Sequence, residues 1–573
     1  MCKILDSCLK EANDIDEVER IDSIPKITKE FEECWKINTE IFVNDALKLI
    51  ELYIGFENDF PYSLPTIYFQ SLQFGYLPHI ESEGGKLCLF EDGISYKTEN
   101  PETLVRYCIK KAKKLIQYGA EKKNFIDFSI EISSYWTRRY NKEPEVDVTY
   151  LIYNGIPTCT MELNSIKYAT QTRGLYKICT IEHTVLFKSK VNQFYRYLSE
   201  NYPLKESNAL FVNSFQVPRE APFEITYSSF MDNITDIEDK KKVEYYINKN
   251  HGGSIFFKLT DCRIGGIQIP SVNLKKNGFR EGSLKTTDFF LKFEKKNTLL
   301  KRLYGSLYSK ERIAERTKGT LMTKQKFAIA GLGSVGSNLV HFLNGFNNTS
   351  FTLVDKDCLT IDNIGRHLVG FKYNHQYKAH AIADYLRSIR PELEITEVYD
   401  SIQSYMDKNL VKLNEHTILF LCTGDTMTEQ YVIKAINQRK ITIPVFSLWL
   451  EPYGAAAHMV YFDNNTTRPI DIFDSETLLY KYNVIKDLEY KKTNKKFTKK
   501  DAGCNGSYAL YSGNDVLEML SAFYPVINRT INTPSESKCY RWIGNIKDIV
   551  KMGIVCKEEV NGLQKGIIQE LPI

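Results

Sequence analysis

Apolar runs and their spacing divide the chain into predicted strands and helices. The clearest stretch is KFAIAGLGSVGSNLVHFLNGF, from Lys326 to Phe346. Its run Phe327 to Ala330 predicts a buried strand, and Val335, Leu339, Phe342 and Leu343 then recur at helical spacing. Further strands are predicted at Phe351 to Val354, Thr417 to Cys422, Ile441 to Leu448 and His458 to Phe462. A helix is predicted over Tyr431 to Arg439, and a turn over Trp449 to Gly454. Strand and helix in alternation predict an α/β domain over residues 311–573.

The N-terminal stretch, residues 1–140, has a different rhythm. Residues 8–24 have the charge and apolar spacing of a short amphipathic helix. Trp35 to Phe42, Leu47 to Phe56 and Thr66 to Phe69 read as strands, with Pro61 and Pro65 breaking the pairing between the last two. A glycine-bearing loop, Tyr76 to Gly93, precedes a helix over residues 101–119. This is an α+β order. Residues 141–310 mix strands (Val148 to Tyr153, Tyr176 to Leu186, Ser254 to Leu259) with the helix Val191 to Asn201. Gly252-Gly253 and Gly265-Gly266 are predicted turns. Asp239-Lys240-Lys241-Lys242 reads as a solvated helix face, and the whole stretch as a structured connector.

Length and composition narrow the class. A chain of 573 residues exceeds one ordinary core and implies three or four domains. Hydrophobic content of 43% and charged content of 25% are those of a soluble globular protein. A net charge of +4 gives no electrostatic case for nucleic acid, and no apolar run reaches membrane-spanning length. The expectation is a cytoplasmic protein with neither partner. Thirteen cysteines without a C-x-x-C pair argue against a four-thiolate zinc site, so most are expected to be small buried hydrophobes.

The chemistry begins at the glycines. Gly331, Gly333 and Gly336 form G-x-G-x-x-G between strand and helix, where backbone N–H groups and the helix N-terminus receive a phosphate. Asp355 ends the next strand, placed to hold a ribose hydroxyl. That pattern alone admits NAD or FAD. The residues beyond it read Asp355-x-Asp357, Asn363, Arg366. They resemble the D-x-D-x(5)-N-x-x-R-Q of adenylating enzymes of the ubiquitin-activating type, with His367 in place of the Gln. The resemblance implies a Rossmann-like adenylating domain at 311–573 that uses ATP and Mg²⁺. Asp355 would hold the ribose, Arg366 and Lys378 the phosphates, Asn363 the family's Asn position, and Asp425 the metal. Arg312 and Arg316 are both placed as the upstream arginine that reaches ATP in many relatives.

In the ubiquitin-activating branch a catalytic cysteine follows the metal aspartate on a crossover loop. Cys504, between Gly503 and Asn505 and after six lysines in residues 491–500, matches it best. Cys422 and Cys358 compete by position only.

The N-terminal order resembles the ubiquitin-conjugating fold. Phe60-Pro61 and Leu64-Pro65-Thr66-Ile67-Tyr68-Phe69 match its proline segment, and Leu77-Pro78-His79-Ile80 stands where that family has His-Pro-Asn-Ile. Cys88 follows in a Leu-Cys-Leu context, about one residue later than the family's active cysteine. His79 replaces the Asn that supports the oxyanion, a role a histidine can keep in altered form.

Both halves together resemble the fused activating/conjugating proteins of cyclic-oligonucleotide anti-phage systems. The resemblance implies adenylation of a partner's C-terminal carboxylate, thioester transfer through Cys504 to Cys88, and conjugation to a lysine of a target. The partner would be a signalling nucleotidyltransferase (a CD-NTase-like synthase) or a ubiquitin-like protein, and the enzyme a homodimer. An adenylating sulfur carrier of the thiamine or molybdopterin type is the alternative. A degenerate, non-enzymatic scaffold is a third reading, against which the intact Asn363, Arg366, Lys378 and Asp425 argue.

Overall fold

The computed structural model describes residues 15–81, 84–90, 101–138, 147–153, 155–173, 178–190, 192–221, 223–272, 284–292, 298–317, 319–464, 470–477, 479–492, 498–500, 507–533 and 535–573. These fall into two compact units, residues 1–190 with 202–312, and 191–201 with 313–573.

The first unit opens with an antiparallel meander. Strands β1 (Ile15–Ile21), β2 (Glu33–Val43), β3 (Ala46–Phe56) and β4 (Thr66–Tyr68) lie side by side in that order. Alternation buries Ile37, Ile41 and Val43 of β2 and Ile50, Leu52 and Ile54 of β3. Against this face packs α1 (Pro101–Ala120), through Leu104, Val105, Cys108, Ala112 and Ile116. Two short helices follow, α2 (Ile126–Ile130) and α3 (Ile132–Thr137).

The predicted helix over residues 8–24 is corrected: residues 15–21 form β1, and residues 8–14 lie outside the described residues. Val18 pairs with Ile37 and Ile21 with Cys34, so the hydrogen-bonding edge of β2 overrides local helical spacing.

The connector forms a closed barrel. β5 (Asp147–Tyr153), β6 (Met161–Arg173), β7 (Ile178–Phe187), β8 (Lys205–Phe211), β9 (Gly253–Thr260), β10 (Arg263–Ile269) and β11 (Lys301–Tyr308) close in the order β10-β11-β5-β7-β6-β8-β9. Gly265-Gly266 is not a turn but the interior of β10. A Cβ on Gly266 would stand 2.6 Å from the Ile255 carbonyl oxygen, so close strand approach, not a reversal, requires glycine. Helix α4 (Ile237–Asn250) carries the basic run; the Asp236 carboxylate accepts the N–H groups of Glu238 and Asp239 and fixes its start.

The second unit is built on one sheet. It includes β12 (Gln325–Ala330), β13 (Thr349–Val354), β14 (Glu394–Val398), β15 (Ile418–Leu421), β16 (Val445–Leu450) and β17 (Ala456–Phe462), with β20 (Lys538–Ile543) and β21 (Ile568–Leu571) completing one edge. The order is β14-β13-β12-β15-β16-β17-β20-β21, parallel through β16 and antiparallel beyond. β18 (Thr498–Lys500) and β19 (Ser507–Ala509) form a separate antiparallel pair. Helices α5 (Ser334–Leu343), α6 (Lys378–Ile389), α7 (Ile402–Leu413), α8 (Thr426–Asn437) and α9 (Gly513–Asn532) belong to this unit. Leu339, Val340 and Leu343 of α5 share a core with Met519, Leu520 and Phe523 of α9. The turn predicted at Trp449 begins later, because Trp449 and Leu450 still pair with His458 and Ala457, and Ile441 to Pro444 precede the strand rather than form it. Among the described residues no helix is long and apolar enough to cross a membrane.

Candidate functional site: a nucleotide cleft and a cysteine loop

In the second unit the chain runs from β12 outward to β13 and β14, then returns to place β15 on the other side of β12. Ligands of open α/β sheets bind at such a reversal, beyond the carboxyl ends of the strands. A cleft of about 460 Å³ lies there, lined by Gly331, Gly333, Asp355, Asp357, Lys378 and Asp425 of the sequence-derived set.

The glycines have separate reasons. Gly331 has φ +85°, and a Cβ there would meet the Cys422 carbonyl at 2.8 Å. A Cβ on Gly336 would stand 1.9 Å from the Gly331 carbonyl oxygen. Gly333 is different: a Cβ there would meet nothing within 4 Å, so its bareness leaves open space at the start of α5. The turn is held from behind by Asp355, whose Oδ2 accepts the Leu332 N–H at 2.6 Å and whose Oδ1 accepts the Asp357 N–H at 2.8 Å. Burial pushes the Asp355 carboxyl up, and the Lys378 charge opposes it. Lys378, buried at the first position of α6, reaches Asp357 Oδ2 at 3.2 Å.

His367, which stands in the family's Gln position, supports the same turn. Its Nδ1 accepts from the Val369 N–H at 3.2 Å, which leaves Nε2 to donate to the Leu332 carbonyl at 2.8 Å. Burial pushes its pKa down to about 4, so it stays neutral in this role.

Asp425 caps α8. Its Oδ2 accepts from the Thr428 N–H at 3.0 Å and the Thr428 hydroxyl at 2.6 Å, while Oδ1 has no hydrogen bond among the described residues. The buried Thr423 Oγ1, which lines the same cleft, also lacks a partner among them. An open glycine cradle, an orphaned hydroxyl, a buried lysine and a carboxylate oxygen together fit a phosphate-bearing nucleotide with a divalent cation.

Asn363 and Arg366 do not line the cleft. Asn363 Oδ1 accepts from the Thr360 N–H and hydroxyl at 3.0 and 3.2 Å, capping a short turn. The Arg366 guanidinium lies over the Tyr511 ring at 5.0 Å, and the Tyr511 hydroxyl is 2.7 Å from Ser334 Oγ. The sequence reading missed Asp400, Ser401, Gln403 and Thr428, all of which line the cleft. For Asp400, Ser401 and Gln403 the signal was strand β14 followed by Asp400-Ser401, where Ser401 caps α7. Cys422 is not a competing nucleophile, because burial pushes its thiol far above its ordinary value. Cys504 lies outside the described residues. Arg312 and Arg316 both sit on the helix Lys310–Thr317, which spans the boundary between the units.

The second feature is in the first unit. Leu87 is buried and Cys88 next to it is exposed, as alternation requires. The Cys88 N–H donates to the His79 carbonyl at 2.8 Å, and Ile80 bridges Leu87. Cys88 and His79 are thus neighbours across a narrow loop. His79 adopts φ +61° and its N–H donates to the Tyr135 hydroxyl at 2.8 Å. Its ring faces two carboxylates, Asp127 at 3.0 Å from Nε2 and Glu131 at 3.6 Å from Nδ1. Although Cys88 is exposed, desolvation at its sulfur raises the thiol pKa. Arg138 and Lys86 counter this, and Glu81 and Glu131 add to it.

Comparison with known proteins follows the same division. The ThiF family is matched over residues 311–544, and the prokaryotic E2 family B over residues 22–144. The ATP-dependent ubiquitin transferase-like protein Cap2 of Pseudomonas aeruginosa is 30% identical over 136 residues, which span 23% of this chain and 23% of that protein. Among solved structures, E. coli MccB aligns over 61% of this chain and 80% of its own at 13% identity and a TM-score of 0.31. E. coli TcdA, the tRNA N6-threonylcarbamoyladenosine dehydratase, in complex with AMP, aligns over 26% and 64% at 18% identity and a TM-score of 0.23. Neither structural likeness is close enough to carry an argument. The chain thus joins a conjugating-type domain of prokaryotic E2 family B to an activating-type domain of the ThiF family.

Proposed function

We propose that the protein activates the C-terminal carboxylate of a partner protein with ATP and passes the acyl group to a target amine through two cysteines. The observation that carries this reading is the pairing, in one chain, of the nucleotide cleft at Gly333, Lys378 and Asp425 with an exposed cysteine on the His79 loop.

The carboxylate oxygen attacks the α-phosphorus and pyrophosphate leaves. The Cys504 thiolate then attacks the acyl carbon and AMP leaves. Cys88 takes the acyl group from Cys504 by exchange of one thioester for another. A lysine amine of the target finally attacks the Cys88 thioester, giving an amide and a free thiol. The Gly333 opening and Lys378 bind the phosphates, and Asp425 Oδ1 is the oxygen available to a Mg²⁺ ion, which would neutralise charge on them. His79, adjacent to Cys88, supports the oxyanion or the incoming amine. On this reading the activity serves anti-phage defence, with a cyclic-nucleotide synthase or a ubiquitin-like protein as the activated partner; the likeness to an ATP-dependent ubiquitin transferase-like protein supports the transferase chemistry.

The test uses C-terminal fragments of proteins encoded beside this chain. ATP–pyrophosphate exchange and non-reducing gels are run on wild type, Cys88→Ala and Cys504→Ala. The reading expects partner-dependent exchange and a thiol-labile adduct in the wild type, with no amide product from either variant. Exchange with full product formation in Cys88→Ala would overturn it.

A further inference from the structure

The connector barrel has no part in the chemistry above, yet one of its side chains is bonded to the segment that holds the cysteine loop. Arg302 of β11 is 2% exposed. A buried guanidinium is costly unless its donors are used. Nη1 donates to the Trp136 carbonyl at 2.8 Å and Nη2 to the Arg138 carbonyl at 2.6 Å. The contact is reciprocal, because Trp136 Nε1 donates to the Leu303 carbonyl at 2.8 Å. Trp136 itself is fully buried, edge-on to Phe257 of β9 at 5.5 Å. The end of α3 is thereby fixed to β11.

Tyr135, the neighbour of Trp136 within α3, and Arg138, the first residue after α3, hold the loop. Tyr135, 1% exposed, accepts the His79 N–H. Arg138 Nη1 donates to the Ile80 carbonyl at 2.8 Å, and its guanidinium lies over the Tyr135 ring at 4.4 Å. The His79 carbonyl in turn accepts the Cys88 N–H. An unbroken series of bonds therefore runs from Arg302 through Trp136, Tyr135 and Arg138 to His79, Ile80 and Cys88. Arg138 is also the strongest of the charges that hold the Cys88 thiol down; Lys86 assists, and Glu81 and Glu131 oppose.

We propose that Arg302 is a positioning residue for Cys88: by clamping the main chain at Trp136 and Arg138 it sets the place of the loop that carries the cysteine, which makes the barrel a brace for the conjugating-type domain. The functional consequence rests on the reading of Cys88 as a transfer cysteine. A lysine cannot reproduce the clamp, because only the guanidinium fork reaches two carbonyls at once.

The test is the pH profile of Cys88 alkylation by iodoacetamide in the full chain, followed by mass spectrometry at the Cys88 peptide. Arg138→Met lowers alkylation at pH 8 about three- to tenfold, since loss of the cation raises the thiol pKa. Arg302→Met shifts the profile in the same direction, Arg302→Lys shifts it partway, and Arg302→Met with Arg138→Met together shift it no further than Arg138→Met alone. If Arg302→Met does not fold, Arg302→Lys and Trp136→Phe, which removes the bond to Leu303, carry the same readout. A lowered melting temperature with a wild-type alkylation profile in these variants would overturn the proposal, as would additive shifts in the double variant. Alkylation needs no ATP, partner or target. Full product formation in Cys88→Ala would therefore sink the proposed function without touching this result, and a wild-type profile in Arg302→Lys would sink this proposal alone.

Discussion

Two glycines three residues apart in the same turn should fail in different ways. In Gly336→Ala the new Cβ would stand 1.9 Å from the Gly331 carbonyl oxygen, about 1.6 Å inside the ~3.5 Å contact optimum. That neighbour is backbone and cannot rotate away. Overpacking of this kind costs about 1–3 kcal/mol, and helical alanine recovers at most about 1 kcal/mol over glycine. An approach this close to fixed backbone takes the upper end of that cost, about 3 kcal/mol, so the net loss is about 2 kcal/mol, which lowers the melting temperature of a domain of this size by about 4–8 °C. In Gly333→Ala the Cβ enters open space, and φ −72° with ψ −151° suits any residue. Its melting point stays within about 1 °C of wild type. The methyl nevertheless occupies the space left for a phosphate, so ATP binding weakens at least about tenfold, or ~1.4 kcal/mol. Thermal unfolding with and without ATP, and titration with a fluorescent ATP analogue, separate the two effects. Gly333→Ala binding ATP as wild type does, or Gly336→Ala melting as wild type does, would refute the reasoning.

Three further outcomes follow from the geometry. Lys378→Met removes the buried cation of the cleft and lowers ATP–pyrophosphate exchange about 10²–10³-fold; exchange within threefold of wild type would remove Lys378 from the phosphate site. Glu429 is buried, with desolvation and the nearby Asp425 raising its pKa to about 8. Its folded pKa lies above its unfolded one, so its contribution to stability is complete at acid pH and is lost as pH rises from about 4.3 toward 8. Glu429→Gln should therefore gain in melting temperature relative to wild type between pH 5 and pH 8, and a constant difference across that range would contradict the assignment. At His79, φ +61° suits Asn better than Ala, by about 1 kcal/mol. His79→Asn is expected to discharge a Cys88 thioester near the wild-type rate and His79→Ala about tenfold slower, read by single-turnover discharge to lysine; equal rates for the two would remove the loop-geometry argument.

The nucleotide cleft was legible where chemistry is written in glycine and charge at fixed spacing. Gly331 and Gly336 occupy a strand–turn–helix whose order the apolar pattern already shows, while Asp355 follows the next strand and Lys378 opens the next helix. Asn363 and Arg366 match a motif by spacing, but a local cap on Thr360 holds Asn363 and a tertiary contact takes Arg366 to Tyr511, which is distant in sequence. Asp400 and Gln403 were hidden because β14 is short and half-exposed, so its apolar signal is faint. The strand at residues 15–21 was read as a helix because periodicity cannot see the free edge of β2. The brace between Arg302 and Trp136 joins residues 166 positions apart and leaves no local trace.

The order of acyl transfer is the most direct test of the account. Each protein is incubated with ATP, Mg²⁺ and the activated partner's C-terminal fragment, and the thioester is located by peptide mass spectrometry. The account predicts an adduct on Cys88 in the wild type, an adduct trapped on Cys504 in Cys88→Ala, and none on Cys88 in Cys504→Ala. An ATP-dependent adduct on Cys88 that persists in Cys504→Ala would contradict it.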